Sequence, residues 1–225
     1  MKVSNHYNNY PVIGRFRTCL ELVLKQKPKG KTLVDVGSSN GLLIAKLSSS
    51  GIANFIGIDS NKVAINFARE NINGAEFFVS SADDLPVKSD SVDIVTMFDV
   101  IEHLRVGGEV MALKEIGRIL KQNGTLLLST PNNNLLMNTL DPAWYVGHRH
   151  YGINNLKEMI EKSGFRVSKA EIRGGLWFSI YLIWLYFSKH MLGVNVPRNI
   201  FLERKDDEQF NKKGIHTIYI VAKKV

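Results

Sequence analysis

Apolar and polar positions follow two rhythms along this chain, and the rhythms divide it into elements before any motif is considered. From Val12 to Lys25, Ile13, Phe16, Leu20 and Val23/Leu24 recur at helical spacing and predict an amphipathic helix. Lys31–Val36 (KTLVDV) is a short apolar run ended by glycine, which reads as a buried strand, and Leu42–Leu47 continues as a helix. Ala53–Ile58 (ANFIGI) gives a second strand ended by Asp59, and Lys62–Asn71 a second helix. Glu76–Val79 and Val92–Met97 are the next strands. Glu109–Lys121 reads as a helix closed by Asn123-Gly124, and Thr125–Ser129 as a fifth strand. Strands alternating with helices at this spacing imply a parallel sheet covered on both faces.

The last third breaks the rhythm. Leu156–Lys162 is a helix with Gly164 at its C′ position, and Phe165–Arg173 and Gly214–Ala222 read as two final strands. Between them lies an insertion, residues 174–213, too long for a hairpin turn. Its segment Leu176–Phe187 (LWFSIYLIWLYF) is too short to span a bilayer and apolar on nearly every side. The expectation is a cap packed over the sheet or over the mouth of the site. The competing reading is a pocket for an apolar or prenylated substrate at a membrane surface, with Lys189 and Arg198 near its anionic face.

Composition narrows the class. The 225 residues, 44% hydrophobic and 22% charged, suit one soluble globular domain of 1–225. Its parts are an N-terminal helical cap (1–30), a cofactor-binding core (31–173), the apolar insertion (174–213) and a final strand (214–225). A single cysteine, Cys19, leaves no internal disulfide and no CxxC motif. The N-terminus shows no apolar signal region, so a cytoplasmic location is expected, with contact to a membrane surface through 176–187 as the variant. The net charge of +8 is uneven: residues 1–30 and 111–225 are basic, while residues 31–110 are acidic. A nucleic-acid binder would more naturally place basic charge beside its working loop.

That loop is DVGSSNG, Asp35 to Gly41, after the first core strand and opening a helix. In open α/β sheets, ligands bind at the carboxyl ends of the strands. Gly37 and Gly41 let backbone pass close to a ligand, and Asp59 ends the next strand, where an acid accepts hydrogen bonds from ribose hydroxyls. A dinucleotide loop wants G-x-G-x-x-G, but the second and third positions here are Ser39 and Leu42. Asp35 would also oppose a pyrophosphate. A cofactor with a cationic centre and an amino-acid tail, such as S-adenosylmethionine, suits the loop better.

With LVDVGSSNG (33–41), FIGIDSN (55–61), SSADDLPVKSDSVDIV (80–95), FDVIEHL (98–104), LKQNGTLLLSTPN (120–132) and HRHYGINNLKEMIEKSGF (148–165) in order, the chain resembles the class I S-adenosylmethionine-dependent methyltransferases. The likeness is to their small-molecule branch, which includes ubiquinone-biosynthesis O-methyltransferases, and it runs from about residue 30 to 170. It implies a Rossmann-like α/β fold: a seven-stranded, mostly parallel sheet with helices on both faces, the last strand antiparallel, and here the apolar insertion before it. It implies that Asp35, Gly37, Ser38, Ser39 and Gly41 frame the methionine moiety, with Ser39 adding a hydrogen bond to its tail. Asp59 and Ser60 would take the ribose, and Ser81 and Ala82 the adenine edge. The family usually has aspartate where Ser81 stands, and Asp83 is the candidate substitute. Phe98 and Asp99 would end their strand beside the transferable methyl group.

Methyl transfer is an in-line displacement in which alignment does most of the work. A general base is needed where the acceptor must lose a proton, and His103, His148 and His150 are the candidates, each also able to serve as a structural residue. As structural residues, Glu102-His103 would open a helix, with the carboxylate at its N-terminal dipole. Asp99-x-x-Glu102-His103 also puts three ligand-type side chains within little more than a helical turn, and His148 or His150 could complete a divalent metal set; the reading without metal is preferred. The sequence therefore predicts methyl transfer to a small, apolar, hydroxyl-bearing acceptor. The alternatives are an RNA or protein methyltransferase using the basic flanks, and a non-catalytic module that only binds S-adenosylmethionine.

Overall fold

The computed structural model describes residues 1–225 except 141–143, 146, 178–179, 181–183, 185–186, 189–190, 192 and 194–198. Its strands are β1 (Lys2–Val3), β2 (Thr32–Val36), β3 (Asn54–Asp59), β4 (Ile72–Asn73), β5 (Glu76–Val79), β6 (Val92–Phe98), β7 (Leu120–Pro131), β8 (Phe165–Arg173) and β9 (Thr217–Lys224). Its helices are α1 (Gly14–Lys25), α2 (Leu42–Lys46), α3 (Lys62–Asn71), α4 (Gly108–Ile119), α5 (Leu135–Leu140), α6 (Ile153–Lys162) and α7 (Ile200–Phe210). Among the described residues a seven-stranded sheet runs in the order β5-β3-β2-β6-β7-β9-β8. Every pairing from β5 to β7 is parallel, and β9 enters antiparallel between β7 and β8.

The strands read as continuous apolar runs because both faces are covered. Leu33 of β2 and Leu127 of β7 pack with α1, α2 and α3 through Val23, Ile44 and Ile65. Their neighbours Val34, Leu126 and Leu128 pack on the opposite face against Leu113 and Ile116 of α4 and Ile160 of α6. The alternation leaves the carboxyl ends of β2, β3 and β6 side by side. Asp35 sits opposite Gly57 and Thr96, and Asp59 opposite Val79.

Several boundaries differ from the sequence reading. α4 stops at Ile119 because Leu120 pairs with Val92, so β7 starts five residues early. Asn123, at φ +63°, belongs to the irregular start of that strand and does not close the helix. The final strand begins at Thr217; Gly214 and Ile215 instead donate amides to Ile172 and Gly174 in a turn. In α1 the buried face is Cys19, Leu20, Leu22 and Val23, while Leu24 is exposed. Glu102-His103 does not open a helix: Ile101–His103 is a single 3-10 turn, and α4 starts after Gly107.

Candidate active site

The loop between β2 and α2 is held by its own backbone and by Asp59. The amides of Gly37 and Ser38 bond the carbonyl of Ile58 at 2.7 and 3.0 Å. The Asp59 carboxylate accepts the amides of Ser39 and Asn61, each at 2.8 Å, so it ties the loop to the start of α3. Gly37 has φ +78°, and a Cβ there would stand 2.1 Å from Cγ2 of Val100. Ser39 also lies in the left-handed region, at φ +47°. Glycine is usual at such a position for that reason, and the bond to Asp59 helps offset the cost of about 1 kcal/mol or more of a side chain there. Tyr7, fully buried in the N-terminal segment, bonds the carbonyl of Asn40 at 2.6 Å and braces the far side of the loop.

Two cavities meet across this loop. One, of about 560 Å³, is lined on its polar side by Ser39, Asp59, Ser60, Asn61, Ser80 and Ser81. Its apolar floor is Val36, Ile58, Ala82, Val100 and Leu104, with His103 at its mouth. The other, of about 450 Å³, is lined by Asp35, Ser38, Phe98 and Leu42, and by Tyr10, Arg15, Phe16 and Cys19 from the N-terminal segment. Gly37, Ser39 and Asp99 line both. Gly41, at φ +78°, lies beneath the loop and lines neither. Asp83 lines neither as well, since its carboxylate takes the Ser81 hydroxyl and an ion pair with Arg105 at 3.3 Å. Those contacts, the Ser81 hydrogen bond first, hold its pKa below the ordinary carboxyl range.

Asp35 is buried and takes the hydroxyl of Thr96 at 2.7 Å; burial raises its carboxyl to about 7. Asp99, at φ +54°, directs Oδ2 to Arg15 at 3.3 Å, while its buried Oδ1 has no hydrogen-bond partner. A strained, incompletely satisfied carboxylate between two cavities is a mark of a working site. Glu102 turns the other way, into the core, where it accepts from Thr130 at 3.0 Å, and burial followed by Asp99 raises it to about 8.

The histidines separate. His103 and His148 meet edge-on with ring centroids 4.3 Å apart. Desolvation against the cleft wall, then His148, lowers the pKa of His103. His150 instead pairs with Asn138 at 2.7 Å and lies 4.9 Å from the Trp144 ring. Arg149 and Tyr151, between and beside them, bond Glu109 and the carbonyl of Ile101, which fastens the HRHY segment to the 101–109 stretch. The four side chains Asp99, Glu102, His103 and His148 do not converge as a metal set: Asp99 and Glu102 point to different partners, and among the described residues no three His, Cys, Asp or Glu are placed to hold a metal ion.

Residues 34–128 match the family model described as a methyltransferase domain. That stretch runs from β2 into β7 and contains the 35–41 loop, Asp59 and Asp99. A Mycolicibacterium smegmatis protein named a probable S-adenosylmethionine-dependent methyltransferase is 28% identical to this chain, over 64% of the chain and 55% of that protein. A Campylobacter jejuni ubiquinone/menaquinone biosynthesis C-methyltransferase is 28% identical over 52% of each chain. The chain thus spans about half the length of these relatives. The solved structure of a TehB-like S-adenosylmethionine-dependent methyltransferase from Corynebacterium glutamicum superposes with a TM-score of 0.64 at 16% identity. It covers 98% of this chain and 92% of that one.

The donor set of the methyltransferase domain fits this cofactor. Hydroxyls and the carboxylates of Asp59 and Asp99 line a nucleoside-sized slot with an apolar floor, and Asp35 joins Asp99 along the second cavity, where a cationic centre is favoured. Among the described lining residues of the first cavity there is no lysine or arginine to meet a pyrophosphate. Arg15 and Tyr7 escaped sequence reasoning; the one signal was the basic excess of residues 1–30.

The same burial has a consequence for stability. Asp35 and Asp206 are raised to about 7 and Glu102 to about 8, each chiefly by desolvation. The folded chain therefore holds protons that the unfolded chain releases near pH 4, and that stability is lost as pH rises through the folded values. Calorimetry is expected to show Tm falling by several degrees between about pH 5 and about pH 8. A Tm that rises over that window would show these carboxyls ionised in the fold.

Proposed function

We propose that the protein transfers a methyl group from S-adenosylmethionine to a small, apolar, hydroxyl-bearing acceptor by in-line displacement. The observation that carries this reading is the pair of cavities joined at Gly37, Ser39 and Asp99, each within the size range of small-molecule sites. When bound, the cofactor supplies a methyl carbon already activated by its sulfonium. Asp59 would accept from the ribose hydroxyls, Ser60 would stand beside it, and Ser81 and Ala82 would border the adenine edge. Asp35, Ser38 and Ser39 would frame the amino-acid tail, with Arg15 offering its guanidinium to the carboxylate. Phe16, Leu42, Leu43 and Phe98 support an apolar environment beyond the tail. His103, kept neutral by partial burial and by His148, would take the acceptor proton. A carbon acceptor, as named for the Campylobacter jejuni relative, is the competing case, and the same base would serve it.

The test is turnover with quinol, catechol, sugar and RNA acceptors, with and without chelator, and identification of the methylated atom. Methylation of RNA alone would overturn the acceptor class. For the cofactor, Asp59→Ala removes the ribose acceptor and the anchor of two loop amides together. At about 3 kcal/mol for hydrogen bonds to a charged group, affinity for S-adenosylhomocysteine should drop roughly 100-fold by titration calorimetry. Unchanged affinity would remove the assignment of Asp59.

A further inference from the structure

Residues 174–213 carry an apolar face that the proposed chemistry does not use. Leu176, Ile180, Trp184, Phe187 and Met191 are helical and exposed, from 39% at Leu176 to 73% at Met191. Ser188 is buried and bonds the carbonyl of Trp184 at 2.7 Å. The stretch is therefore not a cap with all its apolar groups turned inward. Lys189 and Arg198, named above, lie outside the described residues.

α7 adjoins this stretch through Trp177, whose ring meets Phe201 edge-on at 6.1 Å. It inverts the usual amphipathic order. Glu203 and Asp206 are buried, and Asp207 binds Arg17 at 2.9 Å and the amide of Gly14 at 2.6 Å. Ile200 and Phe201 stand 77% and 60% exposed, beside the outward Arg204. Lys212 and Lys213 follow, both exposed. The helix's exposed acid, Glu208, is shared between Arg204 and Lys205. The acids thus face the protein, and the outward surface is apolar and basic.

We infer that this surface seats the protein on an anionic lipid bilayer, with Trp184, Phe187, Ile200 and Phe201 entering the headgroup region. Arg204 and Lys212 meet lipid phosphates there. Apolar area bordered by cations is the composition that binds such an interface. A second copy docked by the same face would bring these cations against their own equivalents, a like-charge pairing that anionic lipid avoids. The inference deepens the proposed function, since a bilayer is where an apolar acceptor resides, but its test needs no acceptor.

The experiment is co-sedimentation of the full chain with phosphatidylcholine vesicles, with and without phosphatidylglycerol. The chain should pellet with the anionic vesicles, and partitioning should drop about tenfold or more in Trp184→Ser/Phe187→Ser and in Ile200→Ser/Phe201→Ser. Arg204→Gln/Lys212→Gln should lose binding to anionic vesicles and alter nothing with neutral ones. S-adenosylhomocysteine affinity, measured in parallel, reports folding. Its absence in the unmodified chain would count against the proposed function and leave the lipid result standing. The inference is overturned if the unmodified chain stays in the supernatant with anionic vesicles. It is also overturned if sedimentation velocity shows a dimer that the serine variants dissolve.

Discussion

His103→Gln should lower turnover by roughly 1,000-fold near neutral pH, within the usual contribution of a positioned base. S-adenosylhomocysteine affinity should change by only a few-fold. The pH profile gives a second readout. Because partial burial and then His148 depress the His103 pKa, the base form persists below the ordinary histidine range. The rate of the unmodified enzyme should therefore fall only on the acid side of that range, and the variant should lack this limb. A variant that keeps the limb would assign the base elsewhere, with His148 the next candidate. A loss confined to cofactor affinity would make His103 a wall of the nucleoside slot instead.

Gly37→Ala should cost the fold and the site together. At φ +78° a side chain costs about 1–2 kcal/mol, and the Cβ would stand 2.1 Å from Cγ2 of Val100, forcing a shift that costs about 1–3 kcal/mol more. Differential scanning calorimetry should show Tm lower by roughly 10 °C for a chain of this size. Because the two terms are separable, Gly37→Ala/Val100→Ala should recover the steric part and leave the backbone part. A single variant with unchanged Tm would mean that the loop relaxes freely. The positive φ would then have no role in holding the cleft open.

What the sequence shows is local, and what it hides is brought from afar. Asp35, Gly37, Ser39 and Asp59 stand at the ends of two strands whose apolar runs announce them, so the loop and its acid were legible at once. Arg15 reaches Asp99, and Tyr7 reaches Asn40, only through tertiary packing of the N-terminal segment, and no spacing rule connects them. The acid-x-x-Glu-His pattern suggested converging ligands because it presumed a helix. A single 3-10 turn splays the side chains, so Glu102 meets Thr130 while His103 meets His148. Leu120 leaves its helix for the same class of reason: pairing with Val92 outweighs local helical periodicity. In α7, Ile200 and Phe201 look like core residues, but three acids facing α1 and the core turn them outward.

The position of β9 bears on how the chain reaches its native state. Lying between β7 and β8, it must wedge between strands made earlier, and its register joins Thr125 to Lys223 across almost a hundred residues. Until it enters, β7 presents a long, apolar, unpaired edge, the kind of surface on which nascent chains associate with one another. Tyr219 of the same strand packs in the core with α1 and reaches the backbone of Arg15, so α1 too lacks part of its seat until then. Closure by a late strand inserted next to the sheet edge is a high-contact-order event, and it makes synthesis and refolding the stage at which this protein is most exposed to aggregation.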